Sequence, residues 1–287
     1  MAIDPGSLDA VPPIPTQSRA VEPRRPERSW DLQGFALKTI RIGLFYVALI
    51  ALWQLVYELE IWSRLLLPSP EQVWKQLRLF TDNGQFQDAI QTSMRRLFIG
   101  YSISLVIGVL IGMACGANKY VDETVGSLVL GMQSLPSITW LPLALLWFGL
   151  TETAIIFVVL MGSIFAVAIS ARAGVRSIPP LYRRAAQTMG ANRVQMVRYT
   201  LIPAMVPSMA QGLKLGWSFA WRSLMAGELL FLSGGLGQML DLGRNLNRMS
   251  LVIAVMLVIV AIGLTIDRLL FSRLEAWVQE RWGLQSA

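Results

Sequence analysis

The side chains able to do chemistry in these 287 residues are few, and their types narrow the field at once. Histidine is absent and cysteine occurs once, at Cys115 within an apolar run. The usual transition-metal ligands are therefore missing, no Ser/His/Asp or Cys/His arrangement can be built, and an intramolecular disulfide is excluded. What remains is charge and hydrogen bonding in unexpected places. The stretch RRAAQTMGANRVQMVRYTLIP, residues 183–203, holds four arginines and no acid between two apolar runs. Arg222 sits near the middle of another apolar run, where an unpaired cation costs about 2.5–3.5 kcal/mol. Glu228 follows six residues on, about 240° around a helix, so the two cannot form an intrahelical pair. Arg222 therefore needs a partner on another helix or an aqueous cavity. Facing a cavity it would favour passage of a small oxyanion, with Trp217 and Trp221 shaping the constriction; pairing with a neighbouring helix or snorkelling outward is the structural alternative, with the tryptophans as packing. A third concentration of polar groups is QSLPSITWLP at 133–142. Pro136 and Pro142 remove backbone donors there, so the helix should be kinked or locally broken. Such breaks line transport pathways as well as serving packing, which makes Ser134, Pro136, Ser137 and Trp140 candidates for a pathway wall.

Lipid is the medium these groups must be positioned in. A chain that is 54% hydrophobic and 15% charged has too much apolar surface to hide in a soluble fold of this size. The net charge of +7 is then weighed first against the positive-inside rule, before nucleic acid is considered. About 20 helical residues span the hydrocarbon, and the sequence supplies six such stretches: 42–57, 97–118, 124–151, 153–171, 212–232 and 249–266. The expected fold is all-α, a polytopic membrane protein with six transmembrane helices. The fifth span carries Lys214, Arg222 and Glu228, and Lys214 lies near an interface where a lysine can snorkel. Gly108, Gly112 and Gly116 recur every four residues in the second, leaving a smooth stripe for a neighbouring helix.

The connections set the organisation. Residues 1–38, with six prolines before Arg28, read as a disordered cytoplasmic tail. Residues 39–95 hold the first span and an external helix in which Val73, Trp74, Leu77 and Phe80 fall at helical spacing, either a surface amphipathic helix or a solvated connector. Residues 96–272 form the core, with the basic insert at 178–203, and 273–287 a second cytoplasmic tail. Between 171 and 203 there are six arginines and no acid, whereas the connection near 150 offers only Glu152. The insert is expected on the cytoplasmic side, which puts both termini there and the loops at 60–95, 150 and 233–248 outside. Glu228 and the glycines of LSGGLGQ are expected to close the external end of span five in a tight turn, with contact to an external partner protein as the alternative.

Charge alone would make the insert a topology determinant, but its pattern says more. Tyr182, Ala185, Ala186 and Met189 share one face of a short helix, with Arg183, Arg184 and Gln187 off it. Gly190 stands where that helix would end, and Asn192 can cap a second one running through Val194 and Val197 toward Pro203. A small-residue face flanked by arginines suits insertion into a groove on another protein. The segment resembles the cytoplasmic signature of the membrane subunits of ATP-binding-cassette importers: Glu-Ala-Ala, three residues, Gly, nine residues, Ile, one residue, Leu-Pro. Ala185, Ala186, Gly190 and Pro203 keep that register, while Arg184 replaces the glutamate, Thr200 the isoleucine and Ile202 the leucine. LPSP at 67–70, LPLALLWFG at 141–149, GLKLGWSFAW ahead of Glu228, and GGLG at 234–237 are similar to the nitrate, sulfonate, taurine and bicarbonate group of these permeases.

The resemblance implies a type I importer permease fold in a bacterial inner membrane and a homodimer of membrane subunits. It also implies two cytoplasmic ATPase subunits that meet Tyr182, Arg183, Arg184, Ala185, Ala186, Met189, Gly190 and Pro203, and an extracytoplasmic substrate-binding protein. The reversed charge at Arg184 implies a partner surface unlike the usual one. No Gly-x4-Gly-Lys-Ser/Thr sequence occurs, so ATP and magnesium are expected on the separate ATPase, and this chain is expected to be a transport permease with no enzymatic activity and no cofactor of its own. The expected cargo is a small oxyanion, aliphatic sulfonate or taurine ahead of nitrate or bicarbonate. A carrier driven by an ion gradient would show acids in several spans and internal repeats; a membrane scaffold would make the signature a coincidence.

Overall fold

The computed structural model describes residues 32–231 and 234–282, and every described element is helical. The expected tail lies largely outside the described residues; helix α1, Leu32–Glu58, begins ahead of the expected first span. The chain divides into compact units at 1–49 and 50–287, and every helix after α1 belongs to the second.

Helix α2, Pro70–Asp82, starts on a complete capping box: Ser69 Oγ accepts from the Gln72 amide, and the Gln72 side chain accepts from the Ser69 amide. It is amphipathic as its spacing requires, but its apolar face is not given to lipid. Val73 is buried, and Leu77 and Phe80 pack with it against Leu251, Ala254 and Val255 of the last helix. Trp74 alone of the expected face remains exposed.

Helix α3, Gln85–Ala117, and helix α6, Glu152–Arg176, form the central crossing. Glycines on α3 permit it. A Cβ on Gly108 would lie 2.8 Å from the Ile164 carbonyl, one on Gly116 would lie 2.6 Å from Val175 Cβ, and one on Gly112 would strike the Ala168 carbonyl and come within 2.6 Å of the Ala171 methyl. The expected stripe thus meets α6, and Gly100 extends it against Val159. In the middle of this seam the buried Ser163 hydroxyl donates to Ser104 Oγ at 2.8 Å and contacts its own Val159 carbonyl. Gly112→Val is expected to cost about 1–3 kcal/mol, because the backbones cannot separate without opening the seam. Gly131→Ala, with nothing near its Cβ, should change little. Thermal unfolding in detergent compares the two, and equal melting would contradict this packing.

The expected break in span three is present. Helices α4, Lys119–Gln133, and α5, Ser137–Phe148, meet at 101°. Between them Ser134 Oγ turns back to the Gly131 carbonyl and Pro136 is extended, which is how the missing proline donor is accommodated.

Helix α7, Pro180–Thr188, follows α6 after a proline pair. A short lead, Arg193–Gln195, and a π-helical turn, Met196–Leu201, then run directly into α8, Ile202–Glu228. The expected second short helix therefore runs without a break into the fifth long one, whose regular α-helical part starts ten residues earlier than hydropathy suggests. Polar positions in 193–211 hide that continuity from a hydropathy reading. Helix α8 packs on α6 through Gly212 against Ser170 and Gly216 against Val167. Helix α9, Leu236–Asn245, precedes α10, Met249–Arg281, which continues past the expected span end at 266 and through the expected start of the tail at 273.

Four described helices are long and apolar enough to cross a membrane, and five if α4 and α5 count as one broken span. Helix α8 is not among them, because Pro207, Ser208, Gln211, Lys214 and Arg222 interrupt its apolar residues.

Candidate transport and coupling sites

At one end of the second unit, the charges the sequence left unexplained converge. Arg96 on α3 and Glu228 at the end of α8 are both completely buried. Arg96 donates through Nη1 to Glu228 Oε1 at 2.9 Å and to the Gly234 carbonyl at 2.7 Å, and through Nη2 to Glu152 at 3.0 Å. Ser93 Oγ lies 2.8 Å from Glu228 Oε2 and accepts from the Leu236 amide, while the Gly237 amide donates to the same carboxylate at 3.0 Å. Arg95 completes the set from the exposed side by pairing with Glu152 at 2.6 Å. The partner of Glu228 is thus Arg96, one helix away. Arginine, a hydroxyl and a backbone amide thus take the place of water around the buried Glu228 carboxylate.

The glycine turn is built around that carboxylate. Gly234 and Gly235 have φ of 79° and 108°, and a Cβ on Gly235 would lie 2.6 Å from Glu228 Cδ. The expected role of Glu228 and GGLG as a tight closure of α8 is what the geometry provides. Arg95 and Arg96 carry no sequence signal of their own, because they flank an apolar run, where arginine ordinarily snorkels; the signal was two isolated acids, Glu152 and Glu228, with no local partner.

Arg222 has no part in this network. It is exposed, with no ion pair among the described residues, and its guanidinium lies 5.5 Å from the Phe219 ring. It lines two cavities. One, of about 270 Å³, is walled by Gln133, Ser134, Pro136 and Ser137 of the break together with Met161, Phe165 and Phe219. The other, of about 240 Å³, is lined by Lys214, Trp217, Trp221 and Asp267. The expected wall residues Ser134, Pro136 and Ser137 are therefore brought to Arg222. Trp140 instead packs on Phe157 and Phe165 at centroid distances of 6.4 and 6.3 Å. Trp217 lines the second cavity but is itself buried among Phe98, Tyr101 and Phe271. Lys214 pairs with Asp267 at 2.8 Å, a firmer tie than snorkelling.

At the other end lies the arginine-rich insert. Tyr182, Ala185, Ala186 and Met189 line one cavity of about 740 Å³ with Pro203, Tyr199 and Trp282. Gly190 has φ of 77°, and Asn192 and Gln195 cap one another, side chain to amide, at 2.8 and 2.9 Å. Arg184 is exposed and has no side-chain partner among the described residues. Arg183 turns inward instead and donates to the Val175 carbonyl at 3.1 Å, tying α7 to the end of α6. Arg172 and Arg176, on that same end, both clasp Asp122 of α4.

The family model of binding-protein-dependent transport system inner membrane components matches residues 104–278, more than half of the chain. The chain belongs to that family. As a whole this permease is 31% identical over 262 residues to the taurine transport system permease protein TauC of Escherichia coli (strain K12), covering 88% of the chain and 94% of the relative. It is 28% identical over 255 residues to the nitrate import permease protein NrtB of Synechocystis sp., and 26% identical over 267 residues to the putative aliphatic sulfonates transport permease protein SsuC of Bacillus subtilis, covering 92% and 94% of those proteins. In fold it resembles the solved MetNI methionine ABC transporter in inward-facing conformations, with a TM-score of 0.54 and 22% identity, over 73% of this chain and 99% of that one. The expected type I permease fold is the fold observed. The permease is a multi-pass inner-membrane transport subunit and not an enzyme.

Proposed function

We propose that this permease conducts a small oxyanion across the bacterial cytoplasmic membrane. Two separate ATPase subunits, which hold the ATP and magnesium, drive it through the 178–203 segment. A second copy of the chain completes the pathway, and an extracytoplasmic binding protein delivers the solute. In this reading α8 also crosses, as the fifth of six spans, both termini are cytoplasmic, and lipid surrounds the apolar helices. The relatives named for taurine, nitrate and aliphatic sulfonates favour this class of cargo, with sulfonate or taurine ahead of nitrate or bicarbonate.

The observation that carries the reading is the cavity of about 740 Å³ whose wall is the small-residue face of α7. It is wide, apolar and adjacent to arginines, the form a groove for another protein's helix or loop takes. Its floor is joined to the transport region by short steps. Arg183 binds the α6 terminus, and Arg172 and Arg176 bind Asp122 on the helix that leads to the break. Closure of the ATPases would shift these rigid pieces together and change which side the Arg222 cavities open to. Against a gradient-driven carrier, Glu228 is already engaged by Arg96, Ser93 and Gly237.

Uptake into proteoliposomes holding the permease, its ATPase and its binding protein tests the proposal. Accumulation of labelled sulfonate is expected with ATP and not with a non-hydrolysable analogue; accumulation by the permease without any ATPase would overturn it.

A further inference from the structure

The cavity at the break in span three has a composition that selects among oxyanions. Its lining, Gln133 to Ser137, Met161, Gly162, Phe165, Phe219 and Arg222, contains one cation and no carboxylate. The neighbouring cavity is different, because Asp267 there accepts from Lys214. Arg222 is thus the single uncompensated charge of the first cavity. The Ser137 hydroxyl and the Gln133 amide have no hydrogen-bond partner among the described residues, so donors are available beside the guanidinium. The same cavity is lined by the Met161 thioether and by the Phe165 and Phe219 rings, the latter 5.5 Å from the Arg222 guanidinium, and Gly162 admits Ser223 of α8 where a Cβ would come within 2.7 Å of the serine Cβ.

Resting on the transport reading above, we infer that this cavity is a binding site for an aliphatic monoanionic sulfonate, held by its head on Arg222, Ser137 and Gln133 and by its alkyl tail on Met161, Phe165 and Phe219. A sulfonate oxygen set matches a guanidinium with two flanking donors. The apolar wall rewards a hydrocarbon tail, which nitrate and bicarbonate lack. The ammonium of a zwitterionic aminosulfonate would be desolvated against that same wall with no carboxylate to meet it. The cavity therefore prefers an alkanesulfonate to taurine, whatever the binding protein admits.

Propane-1-sulfonate and taurine form the decisive pair, since they differ by a methyl against an ammonium of the same size. Their affinities are measured by calorimetry on the purified complex of permease and ATPase subunits, with no binding protein added. Saturable binding of propane-1-sulfonate is expected, about tenfold or more tighter than taurine, whose ammonium would be desolvated unpaired, and than nitrate, which has no tail to bury. Arg222→Gln should abolish it and Arg222→Lys should retain most of it; both variants should unfold thermally with the wild type, because Arg222 has no ion pair among the described residues to lose. Equal affinity for the pair, absence of saturable binding, or undiminished binding in Arg222→Gln overturns the inference. The transport reading is judged separately, by ATP-dependent uptake of any sulfonate by the full importer, and stands or falls on that result.

Discussion

Glu228→Ala is expected to lower the stability of the permease by about 3–5 kcal/mol, because it leaves Arg96 completely buried without its carboxylate. The loss has identifiable parts. Among the described residues Arg96 retains Glu152, which is itself 45% exposed, and the Gly234 carbonyl. The Gly237 amide and the Ser93 hydroxyl lose their acceptor, and each buried group left unsatisfied costs about 1–3 kcal/mol. Ser93→Ala should therefore cost less than Glu228→Ala and act in the same direction. The double variant Arg96→Met with Glu228→Met should recover part of the loss, since removing both charges removes the unpaired one. Thermal unfolding of the purified protein in one detergent measures all three against the wild type. If Glu228→Ala melts with the wild type, the network holds nothing together.

The second large effect is functional. Ala185→Trp places an indole in the cavity of about 740 Å³ from its exposed side, so it should block a partner without disturbing the fold. ATP-dependent uptake is expected to fall by about tenfold or more and the ATPase to be lost on purification, as when the centre of an interface is obstructed. Stability should move by no more than about 0.5 kcal/mol, as for an ordinary surface change. Arg184→Ala, on the same helix but outside the cavity lining, should have the smaller effect on uptake. An Ala185→Trp permease that co-purifies with its ATPase and transports normally would show that the cavity is not the grip.

Much of the architecture is legible in the residues because its causes are local. Apolar runs of bilayer length define α1, α3, α6 and α10 whatever they pack against. Pro136 forces the break by removing a donor, and the Gly108, Gly112 and Gly116 spacing marks a close crossing before its partner is known. Gly190 and Asn192 end one helix and begin the next through their own backbone and side chain. Where the fold departs from these local expectations, a neighbour intervened. The apolar face of α2 lies on α10, and the stretch after Asn192 continues into α8 although its hydropathy is too low to mark a span.

By itself, then, the sequence determined the class of the protein: an all-helical membrane subunit with a break in span three and an arginine-rich insert in the family register. Chain-local sterics and hydrophobic length suffice for that. Only the tertiary structure decided which charges answer one another. Arg96 was paired with Glu228 across 132 positions and Arg172 with Asp122 across 50, while Arg222 was left facing open cavities. Those pairings arise because helix crossings, fixed by glycine contacts elsewhere in the seam, set which buried side chains can reach each other, and a charge in a low-dielectric interior takes whichever partner that geometry supplies.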